Sequence, residues 1–489
     1  MGRHPGDLER VEGTHHGGDT PAYDLALRTD EQRIRKALDG AARTPFWLED
    51  PGRPAPQPAL NGSTEADLLV VGGGYCGLWT ALIAKEADPS LDVVLVEGNE
   101  IAWAASGRNG GFVEASLTHG TENGRRHFAD ELPILDALAA ENFAGFEATL
   151  TRHGIDAEFQ KEGVLAVATE PHQVDELREA VTASTTFYER DELSALVKSP
   201  LYRAGLMQHE GAALVHPAKL AWGLKAACLR LGVRIFENTP VTDIKDQGAT
   251  VRAATWAGSV RARKVALATN GFPSLLKRNR LLTVPIYDYV LMTEPLTAAQ
   301  VEEIGWTRRF GISDTSRQFH YYRMTSDNRI LWGGYDAVYH KGGAIRPEHD
   351  QNPETFTRLA DHFLRTFPQL GDVKFSHAWG GMIDMCTQLA AFQGRAMGGK
   401  VAYSSGFTGL GVAATRYGAT VMLDLLDGKD TVRTRVKMAK RKPLPIPPEP
   451  VLYPAVQVIR NAIARSDRNG GRDGLILKAA NAFGFSFDS

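Results

Sequence analysis

Cysteine is scarce: Cys76, Cys228 and Cys386 are the only three in 489 residues, and they lie far apart. They form no CxxC pair, no zinc-ligand spacing and no disulfide framework, which suits a reducing cytosol. An excess of one charge is also missing. With 55 basic and 58 acidic side chains the formal net charge is −3, too balanced for a general nucleic-acid or membrane-surface binder. No apolar run approaches a membrane span. The opening MGRHPGDLERVEGTHHGGDTP lacks the apolar core of a signal peptide. No internal repeat is found. These absences leave a cytoplasmic protein of ordinary enzyme composition, 43% hydrophobic and 23% charged, and long enough for two domains.

What is present is organised around residues 67–112. Asp67–Val71 is an apolar run suited to a buried parallel strand. It enters Gly72, Gly74 and Gly77, spaced G-x-G-x-x-G, with Gly73 between the first two. The first glycine allows a tight turn, the second lets backbone approach a pyrophosphate, and the third lets helix and strand pack closely. The following helix carries Leu78, Ala81 and Leu82 on one face and offers its N-terminus to phosphates. A second apolar strand, 92–96, ends in Glu97, 20 residues beyond Gly77, where an acid accepts hydrogen bonds from ribose hydroxyls. The combination predicts a dinucleotide site.

The remaining chain alternates helix and strand patterns, an α/β body. A short helix is expected within 30–42. His15-His16 reads as part of a solvated tail, and Thr44-Pro45-Phe46-Trp47-Leu48 as an arm packed on the body. A helix over 130–153 carries Leu135, Ala139, Phe143, Phe146 and Leu150 at core spacing. Strands are expected at 156–160 and 163–169, and helices at 173–183 and 218–231. Four more strands lie between 233 and 268, ending in Ala268-Thr269-Asn270-Gly271. From 284 to 336 long alternating runs predict a largely antiparallel sheet. A helix near 353–366 follows, and then a strand at 401–404. Gly406-Phe407-Thr408-Gly409-Leu410-Gly411 opens a further helix. Beyond it a basic run (433–442) and a proline run (443–450) precede an amphipathic helix near 455–464.

Three features favour FAD over NAD. Only one complete G-x-G-x-x-G unit is present. Ala104-Ala105-Ser106-Gly107-Arg108-Asn109-Gly110-Gly111 forms a second phosphate-cradling turn too close to Glu97 to belong to another unit. The late glycine-rich helix supplies a second dipole end where negative charge grows on flavin reduction.

VVGGGYCGL, AASGRNGG, the ATNG strand end, WGG and the late glycine-rich helix resemble the D-amino-acid oxidase-type FAD oxidoreductases over about residues 44–430. Within them SGRNGG is most similar to the gamma-glutamylputrescine oxidoreductase branch. The resemblance implies an α/β fold: a glutathione-reductase-like FAD-binding domain (Rossmann-type ββα) with a second α+β substrate domain built on a largely antiparallel sheet. It divides the chain into an N-terminal arm (1–62), FAD segments (63–125, 205–275, 376–430), substrate segments (126–204, 276–375) and a C-terminal extension (431–489). It implies non-covalent FAD held by Gly72, Gly73, Gly74, Gly77, Glu97, Ser106, Arg108, Asn109, Gly110 and Gly111. Val241 would meet the adenine, Asn270 and Gly271 the dinucleotide, and Gly409, Leu410, Gly411 and Val412 the isoalloxazine. Two family patterns are missing. The late loop reads Gly409-Leu410-Gly411 where many relatives have G-H-G, and Met385–Ala390 replaces T-P-D-G-x-P, which counts against a simple amino-acid substrate. Cys386 does not match the flavin-linking cysteine of some sarcosine-oxidising relatives and reads as a buried thiol.

The expected chemistry is oxidation of a C–N bond in a small amine or amino acid. A neutral amine presents its α C–H to flavin N5, hydride leaves, and the imine hydrolyses. O2 or another acceptor then re-oxidises the flavin, and the protein supplies orientation and electrostatics. Arg323 in His320-Tyr321-Tyr322-Arg323 is the candidate anchor for a substrate carboxylate, since a guanidinium suits bidentate pairing, with a surface arginine as the competing reading. Tyr321 and Tyr322 point to opposite strand faces, so at most one lines the site. Trp332 and Trp379 are candidate pocket walls or packing, and His377 a candidate amine base or a core histidine. A flavin monooxygenase would show G-D before the late helix and A-D-G in the middle segment; here stand Tyr403-Ser404-Ser405-Gly406 and Ala268-Thr269-Asn270-Gly271. A non-catalytic flavoprotein is the third reading.

Overall fold

A computed structural model describes residues 21–482, built on two eight-stranded sheets. His15-His16 lies outside the described residues. The first sheet has a parallel centre in the spatial order Val401–Ser405, Gly258–Leu267, Gly62–Val71, Val93–Val96, Arg234–Phe236. Phe392–Ala396 closes one edge antiparallel, and Val241–Asp246 with Val251–Thr255 forms an antiparallel flap. Leu68 to Val71 are all buried, because helices cover one face of this central strand and the flap's core the other. The Tyr75–Ala87 helix packs between the Pro217–Arg230 and Gly411–Leu426 helices. That sandwiching explains why it is apolar nearly all round.

The second sheet runs Phe375–Met385, Val284–Thr293, Ile330–Gly334, His320–Met324, Gly311–Asp314, Val164–Ala168, Ala204–Gln208, Thr185–Glu189. All its pairs are antiparallel except Gly311–Asp314 with Val164–Ala168. The Pro353–Thr366 helix covers its outer face through Phe356, Leu359 and Phe363. Phe375–Met385 pairs with Val284–Thr293 through ten residues, so the boundary expected at 375/376 cuts a strand of this sheet. Expected strand 156–160 is replaced by a single bridge, Gln160 to Leu214. The helix expected over 173–183 spans Pro171–Glu179. Strands 185–189, 204–208, 311–314 and 392–396, four or five residues each, went unforeseen, as did the longer Phe375–Met385.

The N-terminal arm packs as its aromatics imply. Trp47 is 1% exposed and donates through Nε1 to the Asn109 carbonyl at 3.0 Å, while Ile34 and Ala37 of the Glu31–Leu38 helix enter the second core. Among the described residues all three cysteines are buried free thiols, and no helix is long and apolar enough to cross a membrane.

Candidate functional site

Between the sheets lies an elongated cavity of about 890 Å³. Its floor begins at the first glycine turn. Gly72 has φ +112°, and a Cβ there would stand 2.4 Å from the Ala268 carbonyl oxygen. A Cβ on Gly77 would meet the Gly72 carbonyl oxygen at 1.8 Å, so only glycine lets helix and strand approach this closely. Gly74 caps the helix with no side chain of its own; Tyr75 N is taken by Ser106 Oγ, and the N-terminus opens onto the cavity. Glu97 accepts from Gly73 N (2.6 Å), Asn99 N (2.9 Å) and Trp103 Nε1 (2.8 Å), and burial nonetheless raises its carboxyl above the usual range.

The second turn is self-bracing. Asn109 Nδ2 donates to the Ala105 and Ser106 carbonyls, its Oδ1 accepts from Gly111 N at 2.8 Å, and Ser106 Oγ accepts from Tyr75 N at 3.0 Å. Arg108 donates to Trp103 O, Gly380 O and Asp350, which pins the turn to the second sheet. The turn's side chains thus build the cradle, while Ser106, Arg108, Asn109, Gly110 and Gly111 line it.

The third contribution comes from late in the chain. Gly409, Leu410, Gly411 and Val412 line the cavity at the N-terminus of the Gly411–Leu426 helix. Asp384 organises this loop. It accepts from Gly406 N at 2.5 Å and Thr408 N at 3.4 Å, and the Asn270 amide, nitrogen inward, donates to both its oxygens at 2.9 and 2.8 Å. Burial pushes the Asp384 carboxyl up to about 7. Val241 and Asn270 line the cavity, whereas Gly73, Gly77 and Gly271 stand behind its wall.

The roof belongs to the second sheet. Tyr321 lines the cavity, and its Oη donates to Asp288 Oδ2 at 2.5 Å. A Cβ on Gly110 would stand 2.7 Å from the Tyr321 ring and one on Gly333 2.9 Å, so the two glycine motifs make room for this tyrosine. Burial pushes the Asp288 carboxyl up to about 6, although the Tyr321 hydroxyl and Tyr289 N–H oppose the shift.

The structure corrects the expected anchor. Arg323 is 1% exposed and lies behind the wall; its Nη1 donates to Val215 O at 2.5 Å and its guanidinium lies over the Trp47 ring at 5.7 Å. Tyr321 and Arg323 share a face of their strand, but Gly111 and the Trp47 arm fill the space in front of the arginine. Tyr322 faces the opposite core and bonds Tyr202 Oη at 2.5 Å. His377 sits outside the cavity between Glu49 (2.9 Å) and Ser376 (2.9 Å). Trp332 and Trp379 are packing residues, the latter donating to Arg108 O at 3.0 Å. Cys386 is a buried thiol.

Unforeseen contributors are Asp288, Asp384, Glu114, His119 and the Leu452–Arg468 helix, whose Val456, Ile459 and Ile463 close one side. A weak signal existed for the two aspartates, since each interrupts an apolar strand, VPIYDYVLMT and GGMIDM. Nothing in the sequence connects the C-terminal helix to the cavity.

Residues 67–425 match the family model described as DAO, FAD dependent oxidoreductase. Gamma-glutamylputrescine oxidoreductase of Escherichia coli (strain K12) is 30% identical over 399 residues, covering 78% of this chain and 88% of that protein. Probable oxidoreductase OrdL of Haemophilus influenzae is 26% identical, covering 76% and 85%. Among solved structures, glycine oxidase from Geobacillus kaustophilus superposes with a TM-score of 0.62 at 17% identity, covering 75% of this chain and 96% of that one. The chain belongs to the DAO family of FAD-dependent oxidoreductases. Its α/β fold with mixed sheets resembles that of glycine oxidase, and its cofactor is FAD. The site fits that group: two helix N-termini open onto one long, mostly apolar cavity, and glycines stand where side chains would fill it.

Proposed function

We propose that this enzyme is an FAD-dependent CH–NH oxidoreductase that oxidises the C–N bond of a small amine or amino acid, giving an imine that hydrolyses. The observation that carries this reading is convergence. Glycine turns at 72–77 and 104–111, the strand end at 268–270 and the loop at 406–412 form one wall of a single cavity, and Tyr321 with Asp288 forms another. Bound FAD supplies the hydride acceptor at N5. The helix N-terminus at Gly74 and Cys76 would hold the pyrophosphate, Glu97 would take the ribose hydroxyls, and Val241 would border the adenine. The N-terminus of the Gly411–Leu426 helix, at Gly411 and Val412, would favour negative charge on the flavin ring. Tyr321 and Asp288 face the substrate; the Asp288 carboxylate takes the proton that the amine must lose before its α C–H can react.

This reading makes the first sheet a glutathione-reductase-like FAD domain drawn from 63–125, 209–275 and 386–430. Residues 126–208 and 276–385 form the substrate domain, the boundaries expected at 204/205 and 375/376 moving beyond the strand ends Gln208 and Met385. FAD is held non-covalently, in a cytoplasmic protein, and O2 or another acceptor re-oxidises it. The relatives named above support an amine-type substrate.

The test is anaerobic addition of amines and amino acids to the purified flavoprotein. Bleaching of the flavin by an amine supports the proposal. Bleaching by a nicotinamide donor alone would replace it with a monooxygenase, and no bleaching with a non-catalytic flavoprotein. Peroxide formed on admitting air separates oxidase from dehydrogenase.

A further inference from the structure

The charged groups lining the cavity are nearly all satisfied by the protein. Each of its three arginines has a carboxylate: Arg108 pairs with Asp350, Arg317 with Asp473 and Arg460 with Asp336. Four of its five carboxylates have donors. Glu97 and Asp384 take backbone and side-chain N–H groups, Asp288 takes Tyr321, and Asp336 takes Thr355 and two arginines.

Glu114 is the exception. Its carboxylate lines the cavity, and among the described residues it has no hydrogen bond and no ion pair. Burial is the one influence on its carboxyl, which it raises above the usual range. Glu114 is part-buried in the cavity wall, and a carboxylate drawn from water without a partner is stabilised when a cation or a proton supplies one.

The position of Glu114 says where that cation would lie. It ends the short strand Phe112–Glu114 that follows the SGRNGG turn, and Phe112 and Glu114, two residues apart, share a strand face. The Phe112 ring meets Tyr321 edge-on at 5.8 Å, and Tyr321 carries the bond to Asp288. The strand also packs against the Gly411–Leu426 helix. Glu114 therefore opens into the same chamber as Tyr321 and Asp288, on a different wall.

We propose that Glu114 is a specificity-determining residue that pairs a cationic group on the substrate, remote from the C–N bond being oxidised, so that the site takes a diamine or polyamine-type substrate rather than an amino acid. This rests on the amine-oxidation reading above. The reacting nitrogen must be neutral for hydride to leave its α-carbon, so it cannot be the lasting partner of Glu114; a second ammonium is. A substrate carboxylate finds no unpaired arginine here and meets the negative Glu114 instead.

The test compares α,ω-diamines with n-alkylamines and ω-amino acids of equal chain length, using the holoenzyme. Wild type should favour the diamine over the monoamine by about 30-fold or more in kcat/KM, the loss expected when one member of a buried charge pair is absent, with the amino acid poorest. E114Q should collapse the ratio towards one, and E114K should rank the ω-amino acid above the diamine. Equal wild-type rates for diamine and monoamine, or a ratio that survives in E114Q, overturn the proposal. A second measurement needs neither turnover nor a variant: perturbation of the flavin spectrum by a non-oxidisable bis(trimethylammonium)alkane against its mono-quaternary analogue. Tighter binding of the dication supports the proposal and equal affinity refutes it. If no amine bleaches the flavin, the amine-oxidation reading fails, and this binding comparison still decides the role of Glu114.

Discussion

The hydroxyl of Tyr321 donates to the Asp288 carboxylate at 2.5 Å across the roof of the cavity, while its ring rests on Gly110 of the second glycine turn. One side chain thus ties the cofactor cradle to the carboxylate best placed to receive a proton from an amine. Burial holds the Asp288 carboxyl at about 6, and the tyrosine bond leads the hydrogen bonds that keep it from rising further. Tyr321→Phe should raise it, so the acid limb of the kcat/KM profile should move to higher pH. An unmoved limb would show that another group titrates.

Asp384 gives a stability test. Its carboxyl is pushed up to about 7 by burial, above its unfolded range of about 4. Stability from such a group is fully present below the unfolded value and is lost as pH rises through the folded one. Tm of the apo-protein should therefore fall more between pH 4 and pH 7 in wild type than in Asp384→Asn. The variant should also bind FAD about tenfold more weakly, because its amide turns a donor towards Gly406 N or Thr408 N. Parallel Tm curves would exclude Asp384 titration.

Arg323→Ala distinguishes packing from substrate binding. The side chain holds Val215 O and lies over Trp47, so its loss should cost roughly 1–3 kcal/mol of stability. KM for a substrate should change less than twofold. A large rise in KM with an unchanged Tm would restore the anchoring role.

Gly77→Ala sets propensity against sterics. Alanine favours a helix by up to about 1 kcal/mol, but its Cβ would lie 1.8 Å from the Gly72 carbonyl oxygen. The backbone at the pyrophosphate turn must shift, and the purified variant should carry little or no flavin. Full flavin content would show that the turn relaxes without loss.

Ile459→Asp tests the C-terminal helix as a cavity wall. A charge there should raise KM several-fold with little change in Tm, since Ile459 faces the cavity rather than a core cluster. Unchanged KM would separate this helix from substrate binding.

Much of the cofactor half was legible because its signals are local. Gly72, Gly74, Gly77 and Glu97 occupy a strand–turn–helix–strand whose spacing follows from backbone geometry alone. SGRNGG was legible for the same reason, as its turn is held by its own Asn109. The catalytic half was misread at Arg323, although the alternation along His320–Met324 correctly separated Tyr321 from Tyr322. Strand periodicity tells which face a residue takes, but not what already fills the space in front of it. Here Trp47, 276 positions earlier, fills it.

By itself, then, the sequence determined the dinucleotide turn, the α/β alternation and the choice of FAD, each encoded within a few tens of neighbouring residues. Tertiary structure alone decided how the rest of the cavity is lined. Glu114, Asp288, Asp384 and Ile459 come from four segments that no local pattern connects, and each acquires its role from what the fold packs beside it or leaves unpartnered. A carboxylate's function depends on whether donors reach it in space, and that is settled only when the chain closes.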